Sequence, residues 1–322
     1  MWQILFKIPF VNFPIFSYGL MLVIGFFGGK MLAERLAKRV GLDPMIFTNC
    51  ALIALVAGVA GARLSHVLEN WPQYSDPSRS AWANFLDAVN IRSGGLTYYG
   101  GFLLATPAVL AYGILKRAPL RLGMDIIAPC LMIGLGFGRI GCFLNGCCYG
   151  SECNVPWAVT FPYGSNPFMD EFQNNTLKAK IPDELLGPPN LVDGRRWPLP
   201  ASQVGPQPEI RSNPLHPAQL YSSFTAFLIA AFLLAYFTMP HAPGQVFGLM
   251  MAVEGLCRFL LETLRAEPAI RHFAGHGFSL GMIEGLVICA AGVVLWLVFG
   301  ALRNLPAPQP TPVRSESSAA AA

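Results

Sequence analysis

An all-α protein crossing a lipid bilayer about seven times is the fold class that the sequence predicts, on three observations. Of 322 residues, 53% are hydrophobic and only 12% are charged, against roughly 25% charged in a soluble domain. Apolar runs close to the ~20 residues that span a bilayer recur along the chain, and the mean hydropathy is +0.47. Basic residues gather in short loops after alternate runs, the pattern expected of cytoplasmic connections. A soluble globule is excluded. The net charge of +4 comes from 22 Lys+Arg and 18 Asp+Glu with no long basic block, so nucleic acid is excluded as a partner.

The elements follow in order. Spans are expected at 15–34, 45–68, 100–115, 124–144, 217–238, 245–264 and 280–302. The first has no small-residue cleavage pattern at a suitable distance and is read as a retained helix. Arg35, Lys38 and Arg39 follow it, Lys116, Arg117 and Arg121 follow the third, and Arg303 and Arg314 follow the seventh. Those sides are expected in the cytoplasm, which puts the N-terminus outside and the C-terminus inside. Residues 69–99 form an expected extracytoplasmic arm, polar with Trp71, Trp82 and Phe85 interleaved, which suits a helix lying among headgroups. Residues 151–215, polar and rich in Pro and Gly with turn signals at Asn166-Pro167 and Pro188-Pro189, are read as a small extracytoplasmic head. Residues 305–322 have the composition of a disordered cytoplasmic tail, leaving 1–304 as the membrane domain.

Ionisable residues inside spans are costly and usually face a cavity or a partner. Here they cluster. Arg63 lies near the end of the second span, Arg139 lies in the fourth, and the sixth holds Glu254, Arg258, Glu262 and Arg265. These four fall at i, i+4, i+8 and i+11, on one helical face, with two Glu-to-Arg neighbour pairs. A self-neutralising packing stripe is one reading. The other is an anion site, because arginine forks match a phosphodiester bidentately and Arg139 with Arg258 would make a clamp that a lipid headgroup could enter from the side. Glycines surround the same region, Gly94, Gly95, Gly100 and Gly101 before the third span and Gly134 to Gly150 through the fourth. They serve either close helix packing or backbone turns able to meet a phosphate.

The segment GRIGCFLNGCCYG, residues 138–150, resembles the signature of the prolipoprotein diacylglyceryl transferases. SYGLM at 17–21, GARLSHV at 61–67, GGLTYYGG at 94–101, HPAQLY at 216–221 and RFLLETLR at 258–265 resemble further family blocks in the family's order. The resemblance implies transfer of diacylglyceryl from phosphatidylglycerol to the lipobox cysteine of a prolipoprotein in the bacterial inner membrane. The partners it implies are therefore phosphatidylglycerol and a prolipoprotein signal peptide. It places Arg139, Arg258 and Glu262, with Tyr18, Asn145, Gly150 and Arg265, on positions of the family's functional pattern; Tyr99 joins the first three as a catalytic candidate, and Arg63, Gly94 and Gly95 join the last four as candidates for substrate binding. Three positions depart from it: Tyr99 stands where histidine is usual, Cys142 where asparagine is, and Cys147 where glutamate is.

That reaction needs a thiolate and a stabilised leaving phosphate. Arg139 and Arg258 would offset charge growing on the phosphate, and Glu262, one turn from Arg258, is expected to orient it. Tyr99, with an ordinary pKa of ~10, is a poor base and is expected to bind rather than to take the proton. His66 is the other candidate acceptor. Cys142, Cys147, Cys148 and Cys153 have a C-x4-C-C-x4-C spacing that matches no usual zinc pattern, so no metal is expected; a disulfide or plain burial is favoured. No cofactor is expected, since the lipid carries the activated bond. The rivals are a same-fold lipid or phospho-group transferase with another acceptor, and a non-catalytic phospholipid-binding membrane protein.

Overall fold

The computed structural model describes residues 4–8, 13–75, 79–90, 94–189, 195–201, 203–204, 208–265, 271–273 and 276–302. These fall into two compact units. One holds the residues up to Gly29 together with Ile127–Leu302, the other Lys30–Ile126. The expected tail at 305–322, and Arg303 and Arg314, lie outside the described residues.

Long helices dominate: α1 Ser17–Arg39, α2 Pro44–Glu69, α5 Tyr98–Leu115, α6 Leu120–Asn145, α8 Ala218–Phe237, α9 Gln245–Glu262 and α10 Leu280–Ala301. Local chemistry sets their starts. Asp43 caps α2 by accepting from the Met45 amide at 2.9 Å, and Pro44 fills the first helical position, where no amide is needed. Ser279 caps α10 through the Met282 amide at 3.2 Å. Four of the helices, Pro44–Glu69, Leu120–Asn145, Ala218–Phe237 and Leu280–Ala301, are long and apolar enough to cross a membrane. Only 11% to 33% of their most apolar windows is buried within the protein, so most of that surface needs lipid as its solvent. The chain is a polytopic membrane protein.

In the first unit Ala128 of α6, Ile229 and Leu233 of α8, and Val246 and Met250 of α9 form the core. Helices α9 and α10 meet backbone to backbone: a Cβ at Gly255 would lie 2.5 Å from the Cys289 amide nitrogen, and one at Gly292 2.3 Å from that of Ala252. Such closeness replaces the hydrophobic drive that lipid removes between helices. The second unit uses the same device between α2 and α5, where a Cβ at Gly61 would lie 2.4 Å from the Gly100 carbonyl oxygen.

The structure is mostly helical, and to the expected helices it adds three two-stranded antiparallel hairpins, β1(Ile4–Ile8) with β2(Phe13–Phe16), β3(Leu186–Pro189) with β4(Arg196–Pro198), and β5(Arg271–Phe273) with β6(His276–Phe278). Strand β2 runs to Phe16, so the first helix starts at Ser17 and not at 15. The expected arm contains α3(Trp71–Tyr74) and α4(Ala81–Val89). Trp82, Phe85, Leu86 and Val89 of α4 are exposed, and the Trp82 and Phe85 rings stack at 5.6 Å. Between 151 and 215 lies α7(Asn166–Gln173), around which Phe161, Tyr163 and Phe168 are buried. The Tyr163 hydroxyl donates to the Leu199 carbonyl at 2.9 Å, so even its polar end is satisfied.

Candidate active site

One cleft of the first unit is lined by Arg139 of α6, Cys148 just beyond α6, and Glu254, Arg258, Glu262 and Arg265 on or just after α9. The helical spacing of the last four brings them to one face, and α6 adds Arg139 to it. The carboxylate on Arg258 is not the one expected. Arg258 Nη2 donates to Glu284 Oε2 of α10 at 3.0 Å, whereas Glu262 accepts from Arg265 Nη1 at 3.2 Å and from Ser279 Oγ at 3.4 Å. Glu262 is buried, and Gly281 gives it room: a Cβ there would lie 2.6 Å from Glu262 Cδ. Glu284 escaped the sequence reading because it stands alone in a strongly apolar span and pairs across helices.

Arg139 donates no hydrogen bond and makes no ion pair among the described residues. Arg258 Nε is buried without a hydrogen-bond partner. A buried donor left unsatisfied is costly, and an anion with several oxygens could bridge the Arg139 and Arg258 guanidiniums that line the cleft.

The cleft's end is built by α6 and the chain that leaves it. Gly146 at φ +77° and Cys148 at φ +60° wrap the backbone back, pinned by the Gly146 and Cys147 amides on the Cys142 carbonyl at 2.9 and 3.1 Å. Gln219 of α8 locks it by donating to the Cys147 carbonyl at 2.8 Å. Gly150 pairs with Arg265 as an isolated bridge and accepts no side chain, since a Cβ would lie 2.6 Å from His216 Cβ. The turn brings the Sγ atoms of Cys142, Cys147 and Cys148 within 4.8 Å of one another. The Cys148 thiol hydrogen-bonds with those of Cys142 and Cys147 and lies in one cleft with the Arg139 and Arg265 guanidiniums. Asn145 hydrogen-bonds the Cys147 thiol, and Tyr18 of α1 packs on Gly141, whose Cβ would lie 2.9 Å from the ring.

The remaining expected residues belong to the second unit. Arg63 of α2 is buried and spends its guanidinium on backbone carbonyls: Ala88 at 2.7 Å, Asp87 at 2.7 Å, Gly94 at 2.6 Å and Gly95 at 3.0 Å. Gly94 and Gly95 adopt φ +84° and +76°, and a Cβ at Gly95 would lie 2.3 Å from His66 Nε2. Tyr99 lies in the first turn of α5 and is exposed.

A family model described as prolipoprotein diacylglyceryl transferase matches residues 3–298. The chain belongs to that family. Among curated relatives, a phosphatidylglycerol–prolipoprotein diacylglyceryl transferase of Clostridium tetani is 26% identical over 254 residues, covering 79% of this chain and 82% of its own. One of Corynebacterium diphtheriae is 29% identical over 283 residues, 87% of each chain. One of Rhodopirellula baltica is 35% identical over 170 residues, 52% of this chain and 34% of its own.

Proposed function

We propose that this protein transfers the diacylglyceryl group of phosphatidylglycerol to the lipobox cysteine thiol of a prolipoprotein, forming a thioether and releasing glycerol phosphate. The observation that carries the reading is Arg139, which makes no ion pair among the described residues, in one cleft with Arg258. The two guanidiniums hold the phosphodiester, and Glu284 fixes the Arg258 fork through Nη2. As the thiolate sulfur attacks the glyceryl C3, the C–O bond to phosphate breaks. Charge grows on the leaving oxygens, where fixed donors stabilise it most. Glu262 and Ser279 orient Arg265 and through it the Gly150 strand. Tyr18 and Asn145 flank the acceptor side. Tyr99, Arg63, Gly94 and Gly95 take substrate-binding roles, with Arg63 holding the carbonyls of the two glycines.

The chain crosses the inner membrane seven times, with α1, α5 and α9 joining the four more apolar helices. Residues 69–99 and 151–215 lie outside with the N-terminus, and the C-terminal 305–322 lies in the cytoplasm. The loop charges support this orientation.

The test is the mass of a synthetic lipobox peptide after incubation with the purified protein in phosphatidylglycerol vesicles, beside a Cys-to-Ser peptide. A diacylglyceryl-sized gain on the cysteine peptide alone is expected. No gain with folded, lipid-bound protein overturns the reading and leaves another acceptor, or binding alone.

A further inference from the structure

Linear spacing argues against a metal at the cysteines, but the turn at Gly146 to Cys148 changes the geometry. Three thiols from different positions of the motif converge, with Sγ atoms within 4.8 Å of one another. Sulfurs around a tetrahedral zinc ion, with bonds of about 2.3 Å, stand about 3.8 Å apart, a small closure from there. A disulfide would use two of the three and leave the third. The surroundings also fit a cation held by thiolates. Three thiolates around a divalent ion leave one excess negative charge, and Arg139 and Arg265 line the same cleft as Cys148. The backbone that carries the three is fixed at both ends, by the Cys142 carbonyl and by Gln219, so ordering it costs little when the ion binds.

We propose that Cys142, Cys147 and Cys148 hold a thiophilic divalent metal of the zinc type, whose open fourth position takes the acceptor thiol of the transfer reaction. Three protein ligands with one vacant position is the arrangement of catalytic zinc sites, whereas structural sites are closed. Cys148 lines the arginine cleft, so the fourth position belongs beside the phosphodiester. Metal coordination deprotonates a thiol outright, which answers the need for a proton acceptor that Tyr99 meets poorly. On binding, the acceptor thiol gives its proton to water and its sulfur stays on the metal. A sulfur electron pair then forms the C–S bond to the glyceryl C3 as the C3–O bond breaks. The leaving phosphate keeps that bond's electron pair, held by Arg139 and Arg258. The product thioether carries no charge and leaves the metal. Nothing is oxidised or reduced.

The role assigned to the metal rests on the proposed transferase reading, and the test separates the two. Full-length protein in detergent, purified under reducing conditions with zinc and dialysed against a weak chelator, is expected to retain one zinc per chain. Cys148→Ser, checked for an unchanged melting profile, is expected to lose it. With cobalt in place of zinc, a cysteine lipobox peptide is expected to shift the thiolate-to-metal absorption and the serine peptide to leave it alone. Stripping the metal is expected to slow transfer at least tenfold, with recovery on adding zinc. Absence of stoichiometric metal, or undiminished transfer by metal-free protein, overturns the proposal and leaves the transferase reading standing. A disulfide joining two of the three cysteines in protein taken directly from membranes also overturns it. One zinc per chain with a peptide-sensitive cobalt spectrum, but no mass gain on the peptide, keeps the metal site and its thiol ligand and overturns the transferase reading.

Discussion

Arg139 and Arg265 line one cleft, yet truncating them has opposite consequences. Arg139 has no ion-pair partner among the described residues, and Glu254, the carboxylate in the same cleft that its charge reaches, keeps Arg258 one turn away, so Arg139→Ala strands no carboxylate. Its expected effect is a loss of transfer of about 10²-fold or more, the scale for one preorganised donor, with melting temperature unchanged in detergent. Arg265 pairs with Glu262, whose side chain is only 3% exposed. Arg265→Ala strands that buried charge and is expected to remove about 3 kcal/mol of stability, read as a large fall in melting temperature. Equal melting of the two variants would contradict this division. Glu171 offers a pH test in the 151–215 segment. Burial raises its carboxyl above the ordinary 4.5, and Oε1 has no hydrogen-bond partner while Oε2 accepts from the Asn213 amide at 2.9 Å. The folded state therefore holds this proton more tightly than the unfolded chain. The group is neutral and harmless at low pH, and stability falls as pH rises from the unfolded value through the folded one. Glu171→Gln is expected to flatten that decline in melting temperature against pH.

At the scale of elements, the α9–α10 contact sets the arginine chemistry, because Arg258 on one helix takes its carboxylate from Glu284 on the other. Gly255 lies at the close approach, with no room for a Cβ beside the Cys289 amide. Gly255→Ala is expected to cost about 1–3 kcal/mol by overpacking and to weaken transfer by pulling Glu284 off Arg258. A double variant with Glu284→Gln should then lose little further activity, since the coupled pair is already broken. The same contact explains what could be read in advance. The arginine and glutamate positions on α9 follow from 3.6-residue periodicity, a local rule, so their shared face was legible. Which carboxylate meets Arg258 depends on how α10 packs, and no spacing within α9 encodes that. The cysteine turn is similar: C-x4-C-C read as a line suggests no metal pattern, while two positive-φ residues fold the line into a cluster. The hairpins went unforeseen because their strands are three to five residues long, too short for an alternating pattern to stand out.

At the scale of the whole molecule, the surface itself identifies the solvent. Leu103, Phe224, Val287 and Leu297 are more than half exposed on long helices, an arrangement that water would penalise by roughly 25 cal/mol per Å² of apolar area and that lipid does not. The proposed orientation rests on charge: Arg35, Lys38 and Arg39 at and near the end of α1, and Lys116, Arg117 and Arg121 around the α5–α6 turn, are expected to resist translocation. The 151–215 segment carries a mixed charge, with Lys178 paired to Glu152 and Arg196 to Asp183, and so has no such block. Arg117 and Asn175 both sit in turns at φ +51° and +57°, where an inserted epitope interrupts no helix. A tag after Arg117 is expected to stay hidden from antibody and protease in intact spheroplasts and to appear only after lysis. A tag after Asn175 is expected to be reached without lysis. The reverse pattern would turn the protein over and move the arginine cleft away from the side where the acceptor thiol must arrive, and equal accessibility of both tags would break the seven-span count, because an odd number of crossings must separate the two turns.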